Sequence, residues 1–203
     1  MTTKQTFLGG MKKPLASTDK QPTVQLPHGA QCTGKIEWYT PRKYIDSAVS
    51  VMGGIDLDPA SSDVAQKVIE AKTYYTIEDD GLSHPWKGRV WLNPPYAAII
   101  IRKFVDKLIA HLMTGDVTQA IMLTHNNVDT LWFHKAADVC SALCLTLGRV
   151  RFYDESGSGN SPTHGHAFMY FGNQTRKFAK EFRRYGSIWL LHKSCTGEHD
   201  EET

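Results

Sequence analysis

The tetrapeptide Asn93-Pro94-Pro95-Tyr96 carries the clearest chemistry in the sequence. Two consecutive prolines have fixed φ and no N–H donors, so their carbonyls are held without competing local hydrogen bonds. Pro94 also biases Asn93 toward an extended backbone. The loop offers two acceptors, the Asn93 side-chain oxygen and the Pro94 carbonyl, followed by a flat aromatic ring. That set suits a planar molecule bearing an –NH₂ group. The two acceptors take its two N–H bonds and Tyr96 covers its face. A proline-rich turn with Tyr96 merely packing is the plainer alternative. The Asn and the aromatic flanking the Pro pair, directly after the apolar run GRVWL, favour the chemical one.

Asp56-Leu57-Asp58-Pro59-Ala60-Ser61-Ser62 is the second such segment. Ala60, Ser61 and Ser62 are small enough for backbone to approach a ligand closely, and Asp58 is expected to place a carboxylate at the mouth of the crevice. The alternative is an Asp-Pro turn with a Ser capping the next helix. Both segments follow predicted strands, and ligands of open α/β sheets bind outside the carboxyl ends of strands.

The elements that position these loops alternate. The spacing predicts a helix over 41–52, with Thr40 as its N-cap, Pro41 in its first turn and Gly53-Gly54 ending it. Strands are predicted at 55–57, 88–92, 119–123, 142–147 and 150–153 (two strands or one bent strand), 166–171 and 187–191. Helices are predicted at 63–71, 98–113, 176–185 and from Asn127 to about Ala137. The run Gln119–Leu123 is apolar throughout, as in a strand buried on both faces. The pattern implies an α/β domain, a mostly parallel sheet with an antiparallel edge strand.

Apolar residues make up 41% of the 203 residues and charged residues 22%, which excludes a wholly disordered or collagen-like chain. No apolar run approaches the roughly 20 residues that span a bilayer. The opening residues carry no secretory h-region, so a cytoplasmic protein without a membrane partner is expected. The net charge of +2 conceals a polarity: residues 1–35 hold five Lys and one Asp, and residues 194–203 hold four acids and no Lys or Arg. The first reads as a flexible basic arm, the last as an acidic disordered tail, and residues 36–193 as the folded domain. Cys32, Cys140, Cys144 and Cys195 form no C-x-x-C pair, and Cys140 and Cys144 read as buried, reduced thiols. His164 and His166 have no third ligand nearby, so no metal is expected.

Taken in order, Glu37-Trp38-Tyr39-Thr40-Pro41, Asp56 to Ser61, Asp79-Asp80-Gly81-Leu82 and Trp91 to Tyr96 resemble the small phage-type DNA N6-adenine methyltransferases. The likeness runs from about Glu37 to Trp189 and includes Asp129-Thr130-Leu131-Trp132-Phe133. It implies a class I, Rossmann-like methyltransferase fold, S-adenosylmethionine as methyl donor and double-stranded DNA as partner. By position, Asn93, Pro94, Pro95 and Tyr96 match the catalytic motif. Tyr39, Thr40, Pro41, Asp56, Asp58, Pro59, Ala60 and Ser61 fall on the cofactor side. Larger relatives have a Gly-rich loop after the first strand; here Ser61-Ser62 stand in its place. Glu78, Asp79 and Asp80 compete for one acidic role toward the cofactor. Asp80 is preferred, because Gly81 after it can relax the backbone.

Candidate substrate contacts are Arg149, Arg151, Asn126 and Trp132. The two arginines share one face of a predicted strand before the polar loop ESGSGNSPTHGH, which reads equally as a DNA-contacting insertion or a plain hairpin. Asn126 and Asn127 are also suited to capping the next helix. On the helix over 176–185, the aromatics are expected to pack on the sheet and the basic residues to face solvent. Rival readings are another methyl acceptor (cytosine N4, an RNA base or a glutamine) and a catalytically silent DNA-binding module.

Overall fold

The computed structural model describes residues 39–154, 158–159 and 163–191. The basic arm, the acidic tail, Cys32, Cys195, Glu37-Trp38 and part of the loop over 155–166 lie outside the described residues.

A seven-stranded mixed sheet organises the chain. Its strands are β1 (Leu57–Asp58), β2 (Thr73–Tyr74), β3 (Gly88–Leu92), β4 (Val117–His125), β5 (Ala142–Thr146), β6 (His166–Phe171) and β7 (Gly186–Leu190), in the order β2-β1-β3-β4-β6-β5-β7. The ladders from β2 through β4 are parallel. Those joining β4 to β6, β5 to β6 and β5 to β7 are antiparallel. The antiparallel part is therefore larger than the single edge strand expected. β7 is a reversed edge, but β6 is also reversed and lies inside the sheet. The chain between β5 and β6 holds no crossover helix among its described residues, so these two strands pair as a hairpin-like unit.

Both faces of the sheet are covered. α1 (Arg42–Met52), α2 (Asp63–Ile69) and α5 (Thr175–Phe182) pack over Trp91, Ile121, Leu123, Phe168 and Tyr170. α3 (Ala98–Thr114) and α4 (Leu131–Val139) pack over Val90, Leu92, Ala120, Met122, Ala167 and Met169. Successive residues of each central strand enter opposite cores, as the two-residue pleat demands. This is why the strands read as unbroken apolar runs.

Local differences from the expected elements have physical causes. Gly53 ends α1 with φ +80°, its N–H donating to Val49 O. Thr40, however, is no cap. α1 begins at Arg42, and the Thr40 hydroxyl is turned toward Asn93. α4 starts four residues later than expected, because Asn127 to Thr130 form a turn in which Thr130 donates back to Asn127 O. Residues 150–153 are extended but leave the sheet after Gly148, whose φ is +77°. Among the described residues only Tyr153 of this segment pairs, exchanging two backbone hydrogen bonds with Tyr39 and bridging to Gly159. Cys140 and Cys144 are buried free thiols, pushed up to about 12 by desolvation. Among the described residues no helix is long and apolar enough to cross a membrane.

Candidate active site

The carboxyl ends of β1, β2, β3 and β4 and the start of β6 surround a cavity of about 960 Å³. That is at the upper end of the roughly 300–1,000 Å³ usual for small-molecule sites. On one side lie Asp58 to Ser62 after β1 and Thr76, Ile77 and Asp80 to Leu82 after β2. On the other lie Tyr39, Phe152 and the imidazoles of His125, His164 and His166. Thr40 and Asn93 to Tyr96 are also in the lining.

Asn93 is held at both ends of its amide. Its Nδ2 donates to Thr40 Oγ1 at 3.4 Å, and its Oδ1 accepts from the Tyr96 hydroxyl at 2.7 Å. Burial raises the Tyr96 pKa, so the hydroxyl keeps its proton and acts as the donor. The Pro94 carbonyl accepts no hydrogen bond among the described residues. The Tyr96 ring lies 3.9 Å from the His125 ring, centroid to centroid, tilted by 36°. His125 stacks in turn on His164 at 4.6 Å and meets His166 edge-on at 5.3 Å. Desolvation lowers His125 and His166 to about 4, so both are neutral near pH 7. His166 Nδ1 accepts from the Val150 N–H, which fixes the proton on Nε2. Among the described residues, no group of three His, Cys, Asp or Glu side chains is placed to hold a metal ion.

Asp58 differs from expectation. Its side chain lies in the cavity wall at 1% exposure rather than at an open mouth. It accepts from the Ala60 N–H at 3.3 Å and Gln66 Nε2 at 3.1 Å, and burial pushes it up to about 7. Ser61 accepts a hydrogen bond from the same Gln66 amide, and Ser62 caps α2 by accepting from the Ala65 N–H. The 59–62 segment thus serves as helix cap and cavity wall together.

The three competing acids separate by position. Asp79 accepts from the Thr76 N–H and hydroxyl and closes a turn, while only Asp80 lines the cavity. Asp80 itself has φ +52°, and one of its carboxylate oxygens accepts from the Leu82 N–H. Gly81 therefore matters for space rather than for backbone freedom: a Cβ there would lie 2.0 Å from Pro59 O. The β1 and β2 loops form one wall through that close approach.

Six other candidates lie elsewhere. Asp56 faces away, at the amino end of β3, where Arg89 grips it at 2.7 and 2.8 Å and Lys72 adds a third contact at 2.8 Å. These partners hold its carboxyl well below the usual carboxylate range, and it staples β1 to β3. Pro41 is not in the lining. Asn126 follows β4, its backbone N–H donating to Gly165 O, and does not line the cavity either. Trp132 is 4% exposed and packs between α4 and the sheet, so it is a core residue and not a surface contact. Arg149 and Arg151 line a separate, smaller pocket. Sequence reasoning missed His125 altogether and considered His164 and His166 only for a metal. The signal was the pair of histidines ending one strand and opening another, which the register His125↔His166 brings side by side.

The fold and site define an α/β protein with a cavity across the carboxyl ends of its parallel strands, lined by the loop after β3 that carries the Asn93 amide and the Pro94 carbonyl. Residues 31–192 match the model of the family described as DNA N-6-adenine-methyltransferase (Dam), and the chain belongs to that family. Membership supports DNA adenine N6-methyltransferase activity in general. Among curated proteins no match to the chain is found.

Proposed function

We propose that this protein transfers a methyl group from S-adenosylmethionine to the N6 amine of an adenine flipped out of double-stranded DNA, on a class I methyltransferase fold. The observation that carries the reading is the Asn93 Oδ1 acceptor beside the unbonded Pro94 carbonyl, both in the wall of one large cavity. An exocyclic amine is a weak nucleophile, because its lone pair is delocalised into the ring. Two acceptors on its N–H groups favour the pyramidal, electron-rich amine that develops in the transition state. Holding the amine and the methyl carbon in line lowers the barrier by up to about 7–11 kcal/mol. Neither step asks for a covalent intermediate.

The residues present fit the cofactor. The β1/β2 wall presents an acidic pair, Asp58 and Asp80, beside the small residues Ala60 and Ser61. Trp91 Nε1 and His166 Nε2 are buried polar atoms of cavity-lining residues with no hydrogen-bond partner among the described residues. When bound, S-adenosylmethionine supplies an electrophilic methyl on a sulfonium. Asp58 and Asp80 would hold its cationic and hydroxyl groups. The stack of Tyr96, His125 and His164 would face the flipped base, whose extrusion costs a few kcal/mol.

The Asp58 carboxyl gives this reading a pH signature. Free, it sits at about 7 because burial disfavours its charge. A net-positive ligand favours the ionised form, so binding releases a proton and tightens as pH rises through that value. S-adenosylmethionine is expected to bind about tenfold tighter at pH 8 than at pH 6. Calorimetry in buffers of different ionisation enthalpy would read the proton release directly. A pH-independent affinity with no proton release would remove Asp58 from the cofactor's contacts.

Methyl transfer from labelled S-adenosylmethionine to duplex DNA, followed by nucleoside analysis, tests the whole reading. Label in N6-methyladenine is expected. Label in cytosine N4, RNA or protein glutamine would replace the acceptor, and DNA binding without any transfer would make the chain a silent binding module.

A further inference from the structure

We propose that a second pocket, formed by Lys43, Arg149, Arg151 and Arg184 around Tyr44 and Tyr185, binds a backbone phosphate of the DNA next to the flipped nucleotide. The inference rests on the DNA-methylating reading and adds to it the element that grips the strand.

The pocket has a volume of about 400 Å³ and draws its walls from α1, from the segment after β5 and from the end of α5. Four of its lining residues are cations and none is an acid. The Arg149 and Arg151 side chains make no ion pair or hydrogen bond among the described residues, so no described acid offsets their charges. The other two cations are held in place. Arg184 donates to Ser47 Oγ at 2.8 Å and to Glu181 at 3.1 Å, and its guanidinium lies 5.1 Å from the Tyr185 ring. Lys43 Nζ sits over both tyrosine rings, at 4.9 and 5.9 Å. Tyr44, 6% exposed, makes no hydrogen bond through its hydroxyl among the described residues. Gathering like charges is unfavourable without an anion to share, and planar guanidinium groups match phosphate oxygens.

Position identifies the source of that phosphate. Burial alternates along residues 149–152, exposed at Arg149 and Arg151 and buried at Val150 and Phe152, the two-residue period of an extended segment. Val150 and Phe152 turn into the core, and Phe152 reaches the catalytic cavity, while Arg149 and Arg151 turn to the basic pocket. One short segment thus separates the place for a base from the place for an anion. Leu147, at the rim, is 91% exposed. An apolar side chain there suits the sugar of a phosphodiester and has no use beside a free inorganic ion.

The test measures binding of a duplex oligonucleotide by the full chain over a range of salt concentrations. Arg149→Ala/Arg151→Ala is expected to bind about tenfold more weakly or worse. Its log K against log[salt] slope should fall by about 0.9, because one phosphate is no longer neutralised. Arg149→Lys/Arg151→Lys, which keeps the charge, should recover most of that slope. Arg176→Ala/Lys177→Ala, on the exposed side of α5, controls for general charge and should change neither quantity. Thermal melting confirms that each variant is folded. A wild-type affinity and slope in the Arg149→Ala/Arg151→Ala protein overturns the pocket alone, provided the unaltered protein binds and methylates DNA. An equal loss in Arg176→Ala/Lys177→Ala also overturns it. An unaltered protein that neither binds nor methylates DNA overturns both the pocket and the reading beneath it.

Discussion

Asn93→Ala is expected to lower methyl transfer about a hundred- to a thousandfold while leaving S-adenosylmethionine binding measurable. The reason is local. Asn93 Oδ1 is one of two acceptors available to an amine, and Thr40 orients the amide so that this oxygen faces Tyr96. Removing the side chain removes the acceptor, and the Pro94 carbonyl alone cannot take two N–H bonds at their proper angles. Among the described residues no side-chain hydrogen bond links the Asn93 amide to the β1/β2 wall, so a cofactor held there would keep its contacts. Single-turnover transfer and calorimetric titration separate the two quantities. Turnover near the unaltered rate would remove Asn93 from the reaction.

Tyr96 sets up the second large effect, and its two roles pull apart by substitution. On the proposed reading its ring would cover the flipped base, while its hydroxyl donates to Asn93 Oδ1, the oxygen that the base's amine would need. Tyr96→Ala removes base stacking of about 1–3 kcal/mol, so kcat/KM should fall roughly five- to hundredfold. Tyr96→Phe keeps the ring and deletes the competing donor. It should hold activity within a few fold and accept the flipped base more readily, since no protein bond must break first. Fluorescence of 2-aminopurine at the target position reports flipping, and single-turnover kinetics report transfer. Equal damage from the two substitutions would show that the hydroxyl, not the ring, carries the function.

What could be read in the sequence was what local covalent geometry decides. Asn93 to Tyr96 were legible because two prolines fix a loop whatever the surroundings. The unbroken apolar runs of β3, β4 and β6 were legible because burial on both faces leaves no polar positions. What escaped depends on partners distant in the chain. Asp56 and Asp58 look alike from their neighbours, yet Arg89 claims one and the cavity wall encloses the other. The histidine stack arises from the antiparallel register of β4 with β6, which no residue near His125 announces. Residues 150–153 alternate like a strand and are extended like one, but Gly148 turns them off the sheet. Trp132 was a candidate substrate contact, but its place in the core between α4 and the sheet depends on which face that helix buries.

The paired hydrogen bonds between Tyr39 and Tyr153, at 2.8 and 3.2 Å, have a consequence for fluctuations. They fasten the residue before Thr40 to the segment that carries Arg149 and Arg151, across more than a hundred residues of chain. Among the described residues they form an isolated bridge rather than part of a strand ladder, and such pairs open more readily than a sheet's interior. Whenever they part, Thr40 leaves its fixed place and Asn93 is without the hydroxyl that orients its amide. The hydrogen-exchange rates of the Tyr39 and Tyr153 amides therefore time how often the acceptor comes unset.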